Sequence, residues 1–367
     1  MVKRIVFVLT LFFLIIIRRD WAIATQVGDY DFSEIEEFIE EEDELNDISF
    51  SYIFKMLLKG DVNKILSYIS EFVINRINSG SNFSISIFKN LVFIILASTL
   101  LTCFTNMLDS NQVKNTGFYA IYLLLIGNLL ISFLNIFNIA EGIIEKTTRF
   151  MELLIPVYIV SVGVSDGGAV AYSYYQIVII IFTLIEIICL KIFLPAVGVY
   201  AVLHITGNVS EHIFTLKLCE LIELIVKYGL KILLGVIIGL NIIQKMITPV
   251  QNQFVLGVTG NIIGAFGGGG SNVKAISEIV IGSGKIIKNS IGLTGIILFF
   301  FLLCVPVIEI LIYIFGYKII EGISYPVADE RISNCLAGMI KAGNMLLNTV
   351  FTVSIIFVIT ITIVCIN

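Results

Sequence analysis

Seven stretches of this chain are apolar and poor in charge, at residues 91–108, 118–139, 150–164, 176–200, 229–248, 293–316 and 345–366. A bilayer's hydrocarbon core is about 30 Å thick and takes about 20 helical residues to cross. No water is available there to satisfy free backbone groups, so such runs must close their own hydrogen bonds. The composition agrees, with 57% hydrophobic and 14% charged residues. Soluble domains run near 45–50% and about 25%. A soluble enzyme, a nucleic-acid-binding domain and a disordered tail protein are thereby excluded. The sequence predicts an all-α polytopic integral membrane protein of six or seven transmembrane helices, with interfacial amphipathic helices between them.

The runs differ in quality. Residues 345–366 hold no charge, whereas 118–139 contain Asn128, Asn135 and Asn138. Residues 150–164 are short and hold Glu152 and Pro156, which suits a re-entrant or interfacial piece as well as a span. Residues 176–200 include Glu186, Lys191 and Pro195, and 293–316 include Pro306 and Glu309.

The N-terminus has the form of a secretion signal. Lys3 and Arg4 precede a 13-residue apolar core, and Ala22-Ile23-Ala24 forms a small-x-small cleavage site that would leave Thr25 as the mature start. An uncleaved anchor is the alternative, and in either case the following segment is exported. The chain then divides into a signal peptide (1–24), an exported acidic and amphipathic segment (25–84) and a polytopic membrane domain (85–367). Between Asp29 and Asp47 lie 11 of the 28 acidic residues, with no Lys or Arg among them. Such a run reads either as a solvated, self-repelling linker or as a docking strip for a basic partner. Residues 48–78 read as two short amphipathic helices; in the second, Ile65, Ile69, Phe72 and Val73 share one face.

Two connectors have the same amphipathic style. Leu218, Leu221, Ile222 and Ile225 line one face of the first, and Ile332, Leu336, Met339 and Ile340 that of the second, which places them in the interface plane or across the bundle end. Lysine and arginine are spread evenly over the loops, Lys274, Lys285 and Lys288 included, so orientation rests on the signal segment alone. A possible duplication links Cys189, Pro195, Tyr200 and Cys219 with Cys304, Pro306, Tyr317 and Cys335, at cysteine offsets of 115 and 116. Composition alone also accounts for it, since apolar helices resemble one another. The six cysteines form no CxxC pair and read as small buried hydrophobes.

Signals for chemistry are few. Gly267-Gly268-Gly269-Gly270 is the most unusual segment. It lacks the Gly-Lys-Ser/Thr of a phosphate loop, so it is either a flexible loop or a close-packing, pore-lining segment. Gly235 and Gly239 form a GxxxG within a span, which permits close helix approach. Glu186 and Glu309 are the acids deepest in apolar runs. They either pair inside the bundle or line an ion path. His204 and His212 are the only histidines, and they sit together in a connector with no further metal ligand. No catalytic residue, cofactor site or metal site is assigned, and an enzyme is not expected.

From residue 193 onward the chain resembles the bacterial stage III sporulation protein AE family. The likeness rests on residues 194–200 (LPAVGVY), 239–244 (GLNIIQ), 286–292 (IIKNSIG) and above all 326–335 (PVADERISNC). It departs at 265–272, where the family is less uniformly rich in glycine. The N-terminal half matches only in plan. The resemblance implies a non-enzymatic, multi-pass protein of the mother-cell-derived outer forespore membrane. It implies a subunit of a trans-envelope channel, or feeding tube, required for endospore development. Its implied partners are other stage III A sporulation proteins and a forespore-side membrane protein, with membrane lipid around it and no nucleic acid. The rival reading is a permease-like secondary transporter of a small solute, with Glu186, Glu309 and the glycine loop along its path.

Overall fold

In the computed structural model, the residues described are 30–42, 45, 48–61, 64–65, 67–72, 89, 92–93, 96, 111–166, 168–210, 213–265, 270–324 and 330–365. Side chains of the long helices are described over 122–161, 176–207, 214–240, 242, 286–322 and 331–362. The signal segment with Ala24 and Thr25, residues 267–269 of the glycine run and most of the expected span 91–108 lie outside them.

Every regular element among the described residues is helical. Two short helices, α1 (Ser33–Glu41) and α2 (Phe50–Leu58), precede the long α3 (Asn111–Asp166). Then follow α4 (Gly168–Ile188), a π-helical turn (Cys189–Phe193), α5 (Leu194–Ser210), α6 (Ile213–Ala265), α7 (Gly270–Ser324) and α8 (Glu330–Cys365). Among the described residues, four stretches are long and apolar enough to cross a membrane: Tyr122–Ser161, Gln176–Gly207, Ile286–Gly322 and Arg331–Thr362. At about 1.5 Å per residue each exceeds the thickness of a hydrocarbon core.

Segments that the sequence separates are joined in the fold. The runs 118–139 and 150–164 lie on one unbroken helix, α3, so the second is not re-entrant. The intervening residues contain no strong breaker, and they bury Ile143, Ile144, Thr147 and Thr148. The two threonine hydroxyls donate to the carbonyls of Ile143 and Ile144, one turn back. The amphipathic connectors also differ from expectation. The second is the first part of α8 and buries its apolar face of Ile332, Leu336, Met339 and Ile340 in the bundle. The first begins α6, and its Leu221 and Ile225 point outward while Cys219 and Val226 are buried. Lys274, Lys285 and Lys288, expected in a loop, all belong to α7. The expected span 229–248 lies within α6, whose side chains are described only as far as Ile242.

Proline shapes one junction. Pro195 is the second residue of α5 and cannot donate to the carbonyl of Lys191. The chain answers with the π-helical turn just before it, a common way of absorbing a lost helical bond.

α8 is the hub. It packs on α3, α5, α6 and α7, and 78% of its most apolar window is buried, against 33–50% in the other three. Phe357 lies in its C-terminal third. Its ring stacks on Phe299 of α7 at 3.8 Å between centroids and on Phe150 of α3 at 5.7 Å, and it meets the edge of Phe182 of α4 at 6.1 Å. Buried polar groups join helices at other levels. The Tyr317 hydroxyl donates to Ser132, and the Tyr122 hydroxyl pairs with the Cys335 thiol at 2.9 Å.

Glycine makes the close approaches possible. A Cβ at Gly338 of α8 would overlap the His204 ring of α5. A Cβ at Gly229 of α6 would come within 2.7 Å of Phe193, one at Gly295 of α7 within 2.6 Å of Leu154, and one at Gly343 within 2.9 Å of Ile314. At Gly235 and Gly239 nothing lies within 4 Å of an added Cβ, so this GxxxG supports no close packing among the described residues.

The proposed duplication has a geometric counterpart. α5–α6 and α7–α8 are both helix pairs joined by short connections, with Cys219 and Cys335 early in the second helix of each. The partners differ, for Cys219 donates to the Tyr200 carbonyl within its own pair while Cys335 bonds outside its pair to Tyr122.

Two expectations follow. Gly338→Ala forces an overlap into the α5–α8 contact and should cost about 1–3 kcal/mol, the usual penalty of overpacking. Gly235→Ala should leave stability within error, and thermal midpoints of the two variants in detergent compare them directly. Phe357→Ala should cost about 3–5 kcal/mol, as a large buried aromatic does; a midpoint unchanged from the parent protein would show that the hub does not hold the bundle.

Candidate functional site

The acidic strip does not extend as a free linker over its described part. Residues 33–41 fold as α1 because Ile35, Phe38 and Ile39 recur at helical spacing and are buried, while Glu34, Glu37 and Glu40 stay exposed. The Ser33 hydroxyl and amide both donate to Asp31 ahead of the helix and hold its carboxyl below the usual carboxylate range. Glu36 reaches across to α2 and accepts from the Ser49 hydroxyl at 2.9 Å and from the amides of Phe50 at 3.3 Å and Ser51 at 2.8 Å. The first-turn amides of α2 have no helical partner, so a carboxylate there satisfies them and favours the helix dipole. α2 ends on Gly60 at φ 74°, with the Asp61 amide returning to the Met56 carbonyl.

The unit built from residues 30–72 is seated on the long helices. Phe38 stacks on Phe150 of α3 at 5.9 Å, and Tyr68 and Phe72 meet Phe301 of α7 edge-on at 5.9 and 4.6 Å. The stripe expected from Ile65, Ile69 and Phe72 thus packs on the bundle, while Val73 lies outside the described residues. Glu42 pairs with Lys146, and Glu41 with Arg149 at 2.7 Å; Arg149 also stands over the Phe38 ring. At least part of the acidic strip therefore finds its basic partner within its own chain.

The ionisable residues of the apolar runs are not gathered in one place. Glu186 is half-buried on α4, and Lys191 in the π-helical turn is exposed and makes no ion pair with it. Glu309 is half-buried on α7, one turn after the buried Pro306. α4 packs on α3 and α6, and α7 on α3, α8 and α2, so α3 is the main neighbour that the two glutamate-bearing helices share. Gly235 is exposed and Gly239 half-buried on α6; Gly270 opens α7, and Gly267, Gly268 and Gly269 fall outside the described residues.

Sequence reasoning missed two features. Lys288, in one of the stretches that carry the family resemblance, is 1% exposed on α7 beside the buried Ser290 and Thr294. A buried lysine in an apolar helix is costly and marks a constrained position. Its neighbourhood of Gly and Ser reads as a loop, which hid it. The second is a polar junction of α5, α6 and α8. There His204 lies tilted against the Tyr200 ring at 5.6 Å and fills the space that Gly338 leaves open, and Lys341 reaches Glu223 at 3.4 Å. His212 lies outside the described residues.

The N-terminal unit supplies its own test. Glu36→Ala strands three donors and should loosen residues 30–72 by about 1–3 kcal/mol, since bonds to a charged acceptor are among the stronger ones. The exposed Glu37→Ala should do nothing. Limited proteolysis of the purified protein reads both, and equal cleavage rates would remove Glu36 from its assigned role. Lys146→Glu should speed cleavage in the same assay, and adding Glu42→Lys should restore it.

Against this geometry the comparisons with known proteins are specific. The chain is 22% identical over 278 residues to a Bacillus subtilis (strain 168) protein named Stage III sporulation protein AE, which covers 75% of this chain and 69% of that one. No solved structure matches. Residues 48–367 match the family described as Stage III sporulation protein AE, a stretch that takes in α2 and every long helix. The chain belongs to the stage III sporulation protein AE family.

Proposed function

We propose that the protein is an integral-membrane subunit of a trans-envelope channel between mother cell and forespore, required for endospore development. The family membership carries this reading. It is supported by four stretches of membrane-crossing length, one of them the hub α8, and by the seating of residues 30–72 on α3 and α7. In this reading the protein resides in the outer forespore membrane, with other stage III A sporulation proteins and a forespore-side membrane protein as partners. Its role is assembly and passage, without catalysis.

A permease-like transporter of a small solute is the second reading, favoured by the half-buried Glu186 and Glu309 on apolar helices. The two readings differ in outcome. Purification of the tagged protein from sporulating cells in a gentle detergent should bring down a stoichiometric set of envelope proteins. Recovery as a lone monomer or homodimer would defeat the channel-subunit reading. Glu186→Gln combined with Glu309→Gln should leave sporulation and assembly intact. A fall in spore yield of tenfold or more, with the complex still assembled, would favour the transporter.

A further inference from the structure

α8 is closed in on most of its circumference but has one open side, polar as far as Thr352 and continued by the half-buried apolar Ile355 and Ile359. Asn334, Lys341 and Asn348 are exposed at intervals of seven residues, two helical turns apart on one line. Asn344 and Thr352 lie beside them, half-exposed, their side chains returning to the backbone carbonyls of Ile340 and Asn348. From Asn334 to Asn348 the line runs about 21 Å along the helix.

The border of this line on α6 is charged. Glu223 meets Lys341 at 3.4 Å, which fixes the facing side of α6. Lys227 and Lys231 follow Glu223 at four and eight residues, about 40° and 80° round the helix from it, and both are exposed. α6 and α8 run the same way, because the α4–α5 stretch runs against both: Phe182 and His204 meet Phe357 and Gly338 of α8, and Phe193 and Tyr200 meet Gly229 and Cys219 of α6. Eight residues beyond Glu223 stands Lys231, and seven beyond Lys341 stands Asn348, so these two lie at one level. Lys217 is held by Glu220 at 2.8 Å and Lys341 by Glu223, while Lys227 and Lys231 have no acidic partner among the described residues. The border therefore carries an excess of positive charge.

The other open faces contrast with it. α4 and α5 expose Ile180, Leu184, Ile187, Val199 and Val202, and α3 exposes Leu123, Leu124, Ile131 and Leu134. Those faces suit lipid. Lysine at the centre of a bilayer costs about 2.5–3.5 kcal/mol even on the lenient insertion scale. Lysine can relieve this by reaching for the interface, but asparagine is too short to do so. Three asparagines on the first half of that side, Asn334, Asn344 and Asn348, point away from a lipid contact there, whereas Ile355 and Ile359 suit one further along.

We propose that this line of α8, with the Glu223–Lys227–Lys231 border of α6, walls a water-filled path for small hydrophilic solutes and favours anions. The inference deepens the channel reading and rests on it. It assigns the passage to α8 and α6, where the sequence pointed to Glu186, Glu309 and the glycine loop.

Cysteine accessibility in membranes of sporulating cells tests it on the full-length protein. Asn334→Cys and Asn348→Cys keep the Glu223–Lys341 pair; Leu184→Cys and Val199→Cys serve as lipid-facing controls. Charged, membrane-impermeant thiol reagents should label both asparagine positions above the unsubstituted background, the anionic reagent severalfold faster than the cationic one. The controls should react only with a lipid-soluble maleimide. Lys227→Gln with Lys231→Gln should bring the two charged reagents to equal rates while labelling persists. Labelling of Asn334→Cys and Asn348→Cys by the lipid-soluble reagent alone would overturn the path. So would silence toward every reagent with cross-linking to a second copy or another protein, which would mean a covered interface. Equal rates for the two charged reagents in the parent background would overturn the anion preference. Isolation of the protein without partners, with labelling retained, would defeat the channel-complex reading and leave the path standing.

Discussion

The burial of α8 is the interaction on which the rest of the bundle depends. Four helices meet on it, and the Phe357 ring touches α3 and α7 among them, and α4 besides, through Phe150, Phe299 and Phe182. Between apolar helices in lipid there is little hydrophobic drive, so association relies on close packing and interhelical hydrogen bonds. Both are present here. Glycines 229, 295, 338 and 343 let side chains of neighbouring helices approach the backbone, and the pairs Tyr317–Ser132 and Tyr122–Cys335 tie α3 to α7 and α8. Removal of α8 would leave α5, α6 and α7 without a common surface.

The length of the helices sets a second constraint. Stretches of 32–40 residues cannot lie wholly within a 30 Å hydrocarbon core without strong tilt. Some of each must be covered by protein or by water. The N-terminal unit covers one such place, on α3 and α7 around Phe150 and Phe301, and it brings charge with it. Lys146 and Arg149 stand on the membrane-length part of α3, yet Glu41 and Glu42 come from the acidic strip to meet them. The strip and the basic turn of α3 are thus one structural feature, although about a hundred residues separate them in sequence.

Much of the architecture was legible in the sequence, and the reasons are local. Charge-free runs identify apolar helices, and the stripe of Ile332, Leu336, Met339 and Ile340 identifies a buried face. Helix limits were less legible, because continuation across 140–149 or 341–344 depends on tertiary burial rather than on a breaker. Which glycines pack closely was illegible for a similar reason. GxxxG is a property of one helix, while the contacts at Gly229 and Gly338 depend on Phe193 and His204, which belong to other elements. The acidic strip was ambiguous because its charge density masks the three apolar residues that bury α1.

The same reasoning explains why the deep glutamates drew attention and the polar line did not. A charge inside an apolar run stands out in one dimension, as Glu186 and Glu309 do. Asparagines spaced by seven stand out only when the helix is rolled up, and their meaning depends on which side its neighbours leave open. Once α3, α5, α6 and α7 are placed, the open side of α8 is the one that carries Asn334, Lys341 and Asn348. A bundle meant to end at lipid on every side would gain nothing from asparagine there, since each amide exposed to hydrocarbon costs free energy unless it is hydrogen-bonded. Placing polar groups on the hub rather than on an outer helix also fixes them rigidly, because α8 is held by four neighbours. A wall built on the most buried helix keeps its spacing while the outer faces meet lipid and partners.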